Sequence, residues 1–241
     1  MSNSTAAIEA VKISSGYGQI PVLREVSLYV NAGEVVALVG ANGVGKTTTL
    51  LTLAGELPLS SGVIRLAGRP TSAPLHQRAR EGLRLITEDR AVFMTLTVAD
   101  NLRLVHKCFD EPLAIFPELE PLLSRKVGLL SGGEQQMVTL ARALTGTTKV
   151  LLADELSLGL APLVVKRLLG AVRAAADRGM AVLLVEQQVR NAFAVADRAY
   201  VLRRGKVVMQ GGTDELKTRI SEVEASYLTS NMIEAEERAT S

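Results

Sequence analysis

Gly40-Ala41-Asn42-Gly43-Val44-Gly45-Lys46-Thr47 stands between an apolar run, Val35-Val36-Ala37-Leu38-Val39, and Thr49-Leu50-Leu51-Thr52-Leu53-Ala54, which reads as the start of a helix. The octet fits G-x-x-x-x-G-K-[ST], and a buried strand before it with a helix after it is the context this phosphate-binding pattern needs. A triphosphate must be wrapped by backbone N–H groups, so Gly40, Gly43 and Gly45 are expected to keep side chains out of its way. The helix N-terminus offers unpaired N–H groups and a positive dipole end, Lys46 a point charge, and Thr47 a hydroxyl for Mg²⁺. The expected nucleotide cradle is therefore Gly40, Ala41, Asn42, Gly43, Val44, Gly45, Lys46, Thr47 and Thr48.

Working outward, the 241 residues carry 27 Lys plus Arg against 25 Asp plus Glu, and a net charge of +2 points to no nucleic-acid partner. Aromatic residues make up 3% with no Trp, which argues against base-stacking platforms and carbohydrate clefts and leaves an aliphatic core. The single cysteine, Cys108, excludes an intrachain disulfide, fits a reducing compartment and reads as a packed thiol. Met1-Ser2-Asn3-Ser4-Thr5 has neither a basic start nor an apolar core, so no secretory signal is expected. No uncharged run exceeds eleven residues, the length of Val35 to Gly45, which is too short for a membrane span.

Upstream, alternation from Ala6 to Ser14 and from Val26 to Val30 predicts half-buried strands, with a turn at Ser15-Gly16-Tyr17-Gly18. Tyr17 is either a platform for a base or a turn residue packed on its own strand. Downstream, Leu83 to Thr87 predicts a strand that delivers Glu88 and Asp89 to its carboxyl end, where ligands of α/β sheets bind. Helical spacing begins near Val98, and Val92-Phe93-Met94-Thr95-Leu96 before it is an apolar stretch for the core or, if exposed, for a partner. Leu130-Ser131-Gly132-Gly133-Glu134-Gln135-Gln136 then opens a helix. Ser131 and Glu134 have capping-box spacing, but a cap does not explain two glycines, whereas a second anion site does.

Val150-Leu151-Leu152-Ala153 ends in Asp154-Glu155. Two carboxylates at the exit of a buried strand need a positive partner, and a phosphate-bound Mg²⁺ would supply one. Asp154 suits the metal, and Glu155 suits orienting and deprotonating a water. Pro162 opens another helix, Met180 to Val185 reads as a buried strand before Glu186-Gln187-Gln188, and Arg203-Arg204-Gly205 turns a final hairpin.

In this order, the phosphate loop, Leu130-Ser131-Gly132-Gly133-Glu134-Gln135 and the strand ending in Asp154-Glu155 resemble the ATPase subunit of an ABC transporter. The resemblance covers about residues 8 to 228 and is nearest the branched-chain amino acid importer subgroup. It implies an α/β fold of the P-loop NTPase class, with a RecA-like core, an antiparallel β subdomain and a helical subdomain inserted at about residues 91–145. Residues 1–7 and 229–241 would be flexible tails. It makes Tyr17 the adenine-stacking residue, Glu155 the catalytic base, Gln187 a second catalytic residue, and Thr47, Glu88 and Asp154 the metal site. Ser157-Leu158-Gly159-Leu160-Ala161-Pro162 would cross a dimer interface.

Glu88 and Gln187 stand where most of the family has Gln and His, yet both are typical of the subgroup. Leu156 stands where the family usually has Pro, so the loop there is expected to be freer. The resemblance further implies two ATP molecules in a head-to-tail pair of ATPase subunits, identical or related. Each would be held between one subunit's phosphate loop and the other's Ser131, Gly132 and Gly133. Permease subunits in the membrane would be direct partners, a solute-binding protein an indirect one, and the chain would lie on the cytoplasmic face. Rival readings are an amide or urea importer ATPase, a non-transport ABC-type machine, and a nucleotide-binding module impaired in hydrolysis at Leu156.

Overall fold

The computed structural model describes residues 6–89 and 92–222. The expected tails, apart from Ala6 and Ala7, lie outside these residues, as do Arg90 and Ala91 at the expected start of the helical segment. In chain order the elements are β1 (Ile8–Tyr17), β2 (Ile20–Val30), β3 (Val35–Val39), α1 (Lys46–Ala54), β4 (Leu59–Leu66), β5 (Arg69–Pro70), α2 (Leu75–Arg80) and β6 (Leu83–Ile86). Next come α3 (Val98–Arg103), α4 (Asp110–Ile115), 3₁₀ turns at Pro117–Leu122 and Val127–Leu129, and α5 (Gly132–Ala143). The chain continues with β7 (Val150–Asp154), α6 (Pro162–Asp177), β8 (Ala181–Glu186), α7 (Val189–Phe193), β9 (Arg198–Arg203), β10 (Lys206–Gly212) and α8 (Thr213–Thr218).

Two sheets form. One has the order β2-β1-β4-β5 with antiparallel pairs, and the other the order β10-β9-β3-β8-β7-β6, parallel except for the β9–β10 hairpin. The central parallel strands β3, β7 and β8 are apolar up to their carboxyl ends and buried throughout, because both of their faces are covered. Val35, Ala37 and Val39 of β3 point to one core with α5, α6 and α7, while Val36 and Leu38 point to another with α1 and the antiparallel sheet. Between β6 and β7 the regular elements of the described residues are all helical, with one isolated bridge, Thr97 to Lys126.

The α1 helix is wedged between the sheets through Leu50, Leu53 and Ala54, all fully buried. Its buried Thr49 and Thr52 donate to the carbonyls of Gly45 at 2.8 Å and Thr48 at 2.6 Å, which satisfies hydroxyls that would otherwise be stranded in the core. Arg198 ties the sheets together at their edge, ion-pairing with Glu34 and stacking 4.1 Å over the Tyr29 ring.

Two local expectations are corrected. The turn predicted at Ser15-Gly16-Tyr17-Gly18 is strand as far as Tyr17, paired Gly16 to Pro21 and Tyr17 to Ile20. Gly16 serves close approach within that ladder, since a Cβ there would lie 2.0 Å from the Ile20 carbonyl oxygen. Cys108 is exposed, because α3 ends at Arg103 and leaves the thiol in a connection with no packed face. The 92–96 stretch divides: Val92 packs on the core, whereas Phe93 and Met94 are exposed.

Candidate active site

Strand order β3-β8-β7-β6 sets the carboxyl ends of four parallel strands along one edge, so Gly40, Gln187, Glu155 and Glu88 all leave the sheet on the same side. α1 begins at Lys46 with Gly45 as N-cap at φ 108, and no side chain caps it. Its first N–H groups are therefore open to an anion. The three glycines turn out to serve different ends. Gly43, at φ 76, has nothing within 4 Å of where a Cβ would sit, so it alone faces open space. At Gly40 a Cβ would meet the Leu202 carbonyl oxygen at 2.4 Å, and at Gly45 the Leu23 side chain at 2.9 Å. Two of the three are demanded by the protein's own packing, which sequence spacing could not distinguish from ligand clearance.

Lys46 is 5% exposed and donates from Nζ to the carbonyls of Gly40 and Ala41, each at 3.0 Å, with Glu155 Oε1 at 3.7 Å. Burial lowers its pKa, opposed by the nearby Glu155, Asp154 and Glu186. Burial raises the Asp154 carboxyl above the usual carboxylate value, against the opposing influence of the nearby Thr47 hydroxyl and Lys46. Asp154 Oδ1 is buried without a hydrogen-bond partner among the described residues. An orphaned carboxylate oxygen beside a threonine hydroxyl and a lysine suits a small hard cation. Among the described residues no three Asp, Glu, His or Cys side chains converge as a cage made by protein alone, so Mg²⁺ here would need phosphate oxygens as well.

Glu155 continues the sheet by donating its N–H to the Val185 carbonyl at 2.9 Å, then turns sharply at φ 47, a left-handed conformation uncommon outside glycine. Glu88, Gln136, Asp154, Glu155, Leu156 and Leu158 line a recess of about 110 Å³. A far larger concavity, about 1460 Å³, opens among the described residues at the other end of the parallel strands, near Lys149 and Met180, away from these acids.

The expectation of a freer loop at Leu156 is overturned. Leu156 is 1% exposed and belongs to the core beneath the parallel sheet, so side-chain packing restrains the segment where proline would have restrained its backbone. Gly133 also needs no ligand to explain it, since a Cβ there would lie 2.8 Å from Val164 Cγ1 on α6.

Other predicted residues stand apart from this cluster. Ser131 caps α5, its hydrogen bonds closing on Glu134 in a capping box with Gly132 and Gly133 as the first helical residues. Tyr17 ends β1 with its ring half exposed, on the same hairpin as Val22 and Leu23, which crowd Gly45. Gln187 is exposed just past β8. Two polar residues escaped the sequence reading. Gln136, 4% exposed, lines the recess, and the paired glutamines were its one signal. Glu186, 1% exposed, gave none, because it reads as a polar residue just past an apolar strand, whereas it closes β8 inside the core. It accepts hydrogen bonds from the Ser157 N–H at 3.2 Å and hydroxyl at 2.6 Å, and burial pushes its carboxyl up to about 7.

Known proteins resemble this chain over most of its length. Residues 23–157 match the family model described as ABC transporter. The high-affinity branched-chain amino acid transport ATP-binding protein BraG of Pseudomonas aeruginosa is 40% identical over 208 residues, 82% of this chain and 89% of that one. The lipopolysaccharide export system ATP-binding protein LptB of Escherichia coli is 35% identical over 226 residues, 88% of this chain and 92% of its own. The solved structure of an ATP binding subunit of an ABC transporter superposes with TM-score 0.76 at 27% identity, covering 95% and 98% of the two chains.

Proposed function

Because the chain belongs to the ABC transporter family and is one of its ATP-hydrolysing subunits, we propose that the ATP it cleaves drives import of branched-chain or related amino acids. The observation that carries the catalytic part is the meeting of the uncapped α1 N-terminus, buried Lys46 and the Asp154-Glu155 pair at one sheet edge. The 40% identity to BraG over most of both chains supports the choice of substrate.

In this reading Lys46 exchanges the carbonyls of Gly40 and Ala41 for phosphate oxygens, while the backbone of residues 40–48 wraps the triphosphate. Thr47 and Asp154, with Glu88 nearby, would hold Mg²⁺, whose chemistry is to offset phosphate charge. Glu155 orients a water and takes its proton, Gln187 senses the terminal phosphate, and Tyr17 stacks on the base. Ser131, Gly132 and Gly133, at the start of a capped helix well removed from the α1 cradle in sequence, act across a dimer interface on the nucleotide of a second ATPase subunit, whose phosphate would meet the N–H groups of Gly132 and Gly133 that the cap leaves unused. Among the described residues no helix is long and apolar enough to cross a membrane, so transport requires permease subunits, with a solute-binding protein delivering cargo to them. Docking on that permease would hold the chain at the cytoplasmic face.

Changing Glu155→Gln should leave ATP binding intact and slow hydrolysis by roughly 10²-fold or more. Undiminished turnover in the assembled transporter would remove Glu155 from this role. The second reading, a lipopolysaccharide export subunit, is favoured by the 35% identity to LptB. Proteoliposomes decide between the two: leucine uptake with ATP consumption supports import, and lipopolysaccharide extraction without uptake overturns it.

A further inference from the structure

The geometry points to Glu186 as a positioning residue for hydrolysis, its carboxylate clamping Ser157 and thereby fixing the turn that presents Glu155. This rests on Glu155 being the base. Three restraints hold that turn in sequence. The Glu155 N–H is bound to the Val185 carbonyl at 2.9 Å, Leu156 is packed into the core, and Ser157 gives both its N–H and its hydroxyl to Glu186, at 3.2 and 2.6 Å. Glu155 itself sits at φ 47, a conformation that persists only where its surroundings enforce it. Ser157 is the first residue after the turn whose backbone is pinned by a side chain. Releasing it would let Glu155 relax towards ordinary backbone angles and swing its carboxylate away from Lys46.

The placement of the clamp is otherwise costly. Glu186 is 1% exposed, and the charged groups that face it are Asp154 and Glu155, which repel it, and Lys46. An apolar residue would end β8 with no such penalty. The clamp also joins two strand exits. Glu186 immediately precedes Gln187 and pairs in register with Val39, the residue before Gly40, while Ser157 lies two residues after Glu155. Movement at Gln187 or at the start of the phosphate loop therefore reaches the catalytic turn through one side chain.

The test uses Ser157→Ala, Glu186→Ala, the double variant and Glu186→Gln in the assembled transporter, reading kcat, KM for ATP and nucleotide affinity separately. Each single alanine should lower kcat roughly tenfold with KM and affinity changed less than about twofold, and the double variant should fall no further than the worse single. Glu186→Gln should recover most of the rate, since its amide oxygen can accept from the Ser157 N–H while its NH₂ donates to the hydroxyl. Full kcat in Ser157→Ala, multiplicative losses in the double variant, or no rescue by glutamine would each overturn the clamp. Ser157→Ala removes only a hydroxyl, so it decides the matter even if Glu186→Ala does not fold. Glu155→Gln is run alongside: if it keeps full activity the site reading itself fails, whereas a dead Glu155→Gln beside an active Ser157→Ala sinks the clamp alone.

Discussion

The phosphate loop and the segment after β7 leave the two strands that flank β8, reach the same sheet edge and meet at the Lys46–Glu155 contact, yet they are held in opposite ways. Residues 40–47 are held by backbone: glycines with positive φ or no room for a Cβ, and a lysine folded onto two carbonyls. Residues 155–157, beyond the backbone bond from Glu155 to Val185, are held by side chains: Leu156 in the core and Ser157 on Glu186. Backbone restraint must be written in residue type at fixed spacing. Side-chain restraint needs only a partner of suitable shape, and that partner can come from anywhere in the chain.

The comparison breaks most visibly at its meeting point. Replacing Lys46→Ala removes a buried cation that faces Asp154, Glu155 and Glu186, and ATP hydrolysis should fall by roughly 10²–10³-fold with nucleotide binding weakened; a steady-state assay with a binding titration checks both. Next, Leu156→Ala should cost about 2–5 kcal/mol of stability, measured by urea unfolding, because a fully packed side chain is lost. A cost below 1 kcal/mol, roughly the level of surface substitutions, would mean that packing does not restrain this turn.

The third prediction concerns pH. Folding raises the Glu186 carboxyl from 4.5 to about 7, so the native chain holds that proton more tightly than the unfolded one. Its contribution is complete below the unfolded value of 4.5 and is lost as pH climbs through about 7. The loss is on the order of 3 kcal/mol, and the slope should flatten in Glu186→Gln. Melting curves across that interval would expose a wrong assignment as an unchanged slope. The smallest effect separates the glycines. Gly43→Ala meets no atom and should cost about 1–2 kcal/mol for its left-handed backbone alone, less than Gly40→Ala, which drives a Cβ into the Leu202 carbonyl. Equal losses would erase the distinction between clearing space for a ligand and fitting the fold.

Much of the fold was legible because covered parallel strands must be apolar on both faces, and Val35 to Val39, Val150 to Ala153 and Met180 to Val185 all read as such runs. The phosphate loop and the Asp154-Glu155 pair were legible for the same local reason. Leu156 misled because its departure from proline removes a backbone restraint that is visible in sequence, while the packing that replaces it is not. Gly133 hid a second reason for its residue type, since a glycine that fits Val164 looks the same on paper as one that fits a phosphate.

By itself, then, the chain's order of residues determined the strand, loop and helix around Gly40 to Thr47, the acids after β7, and the ATPase family they identify. Only the tertiary structure decided which side chains complete the catalytic edge. Strand order places β8 between β3 and β7, and that arrangement brings Glu186 to Ser157 across 29 positions of sequence and sets Lys46 against Glu155. Local pattern fixes backbone conformation through sterics and hydrogen bonding within a few residues. Contacts between distant residues depend on how strands are ordered, which no short motif contains.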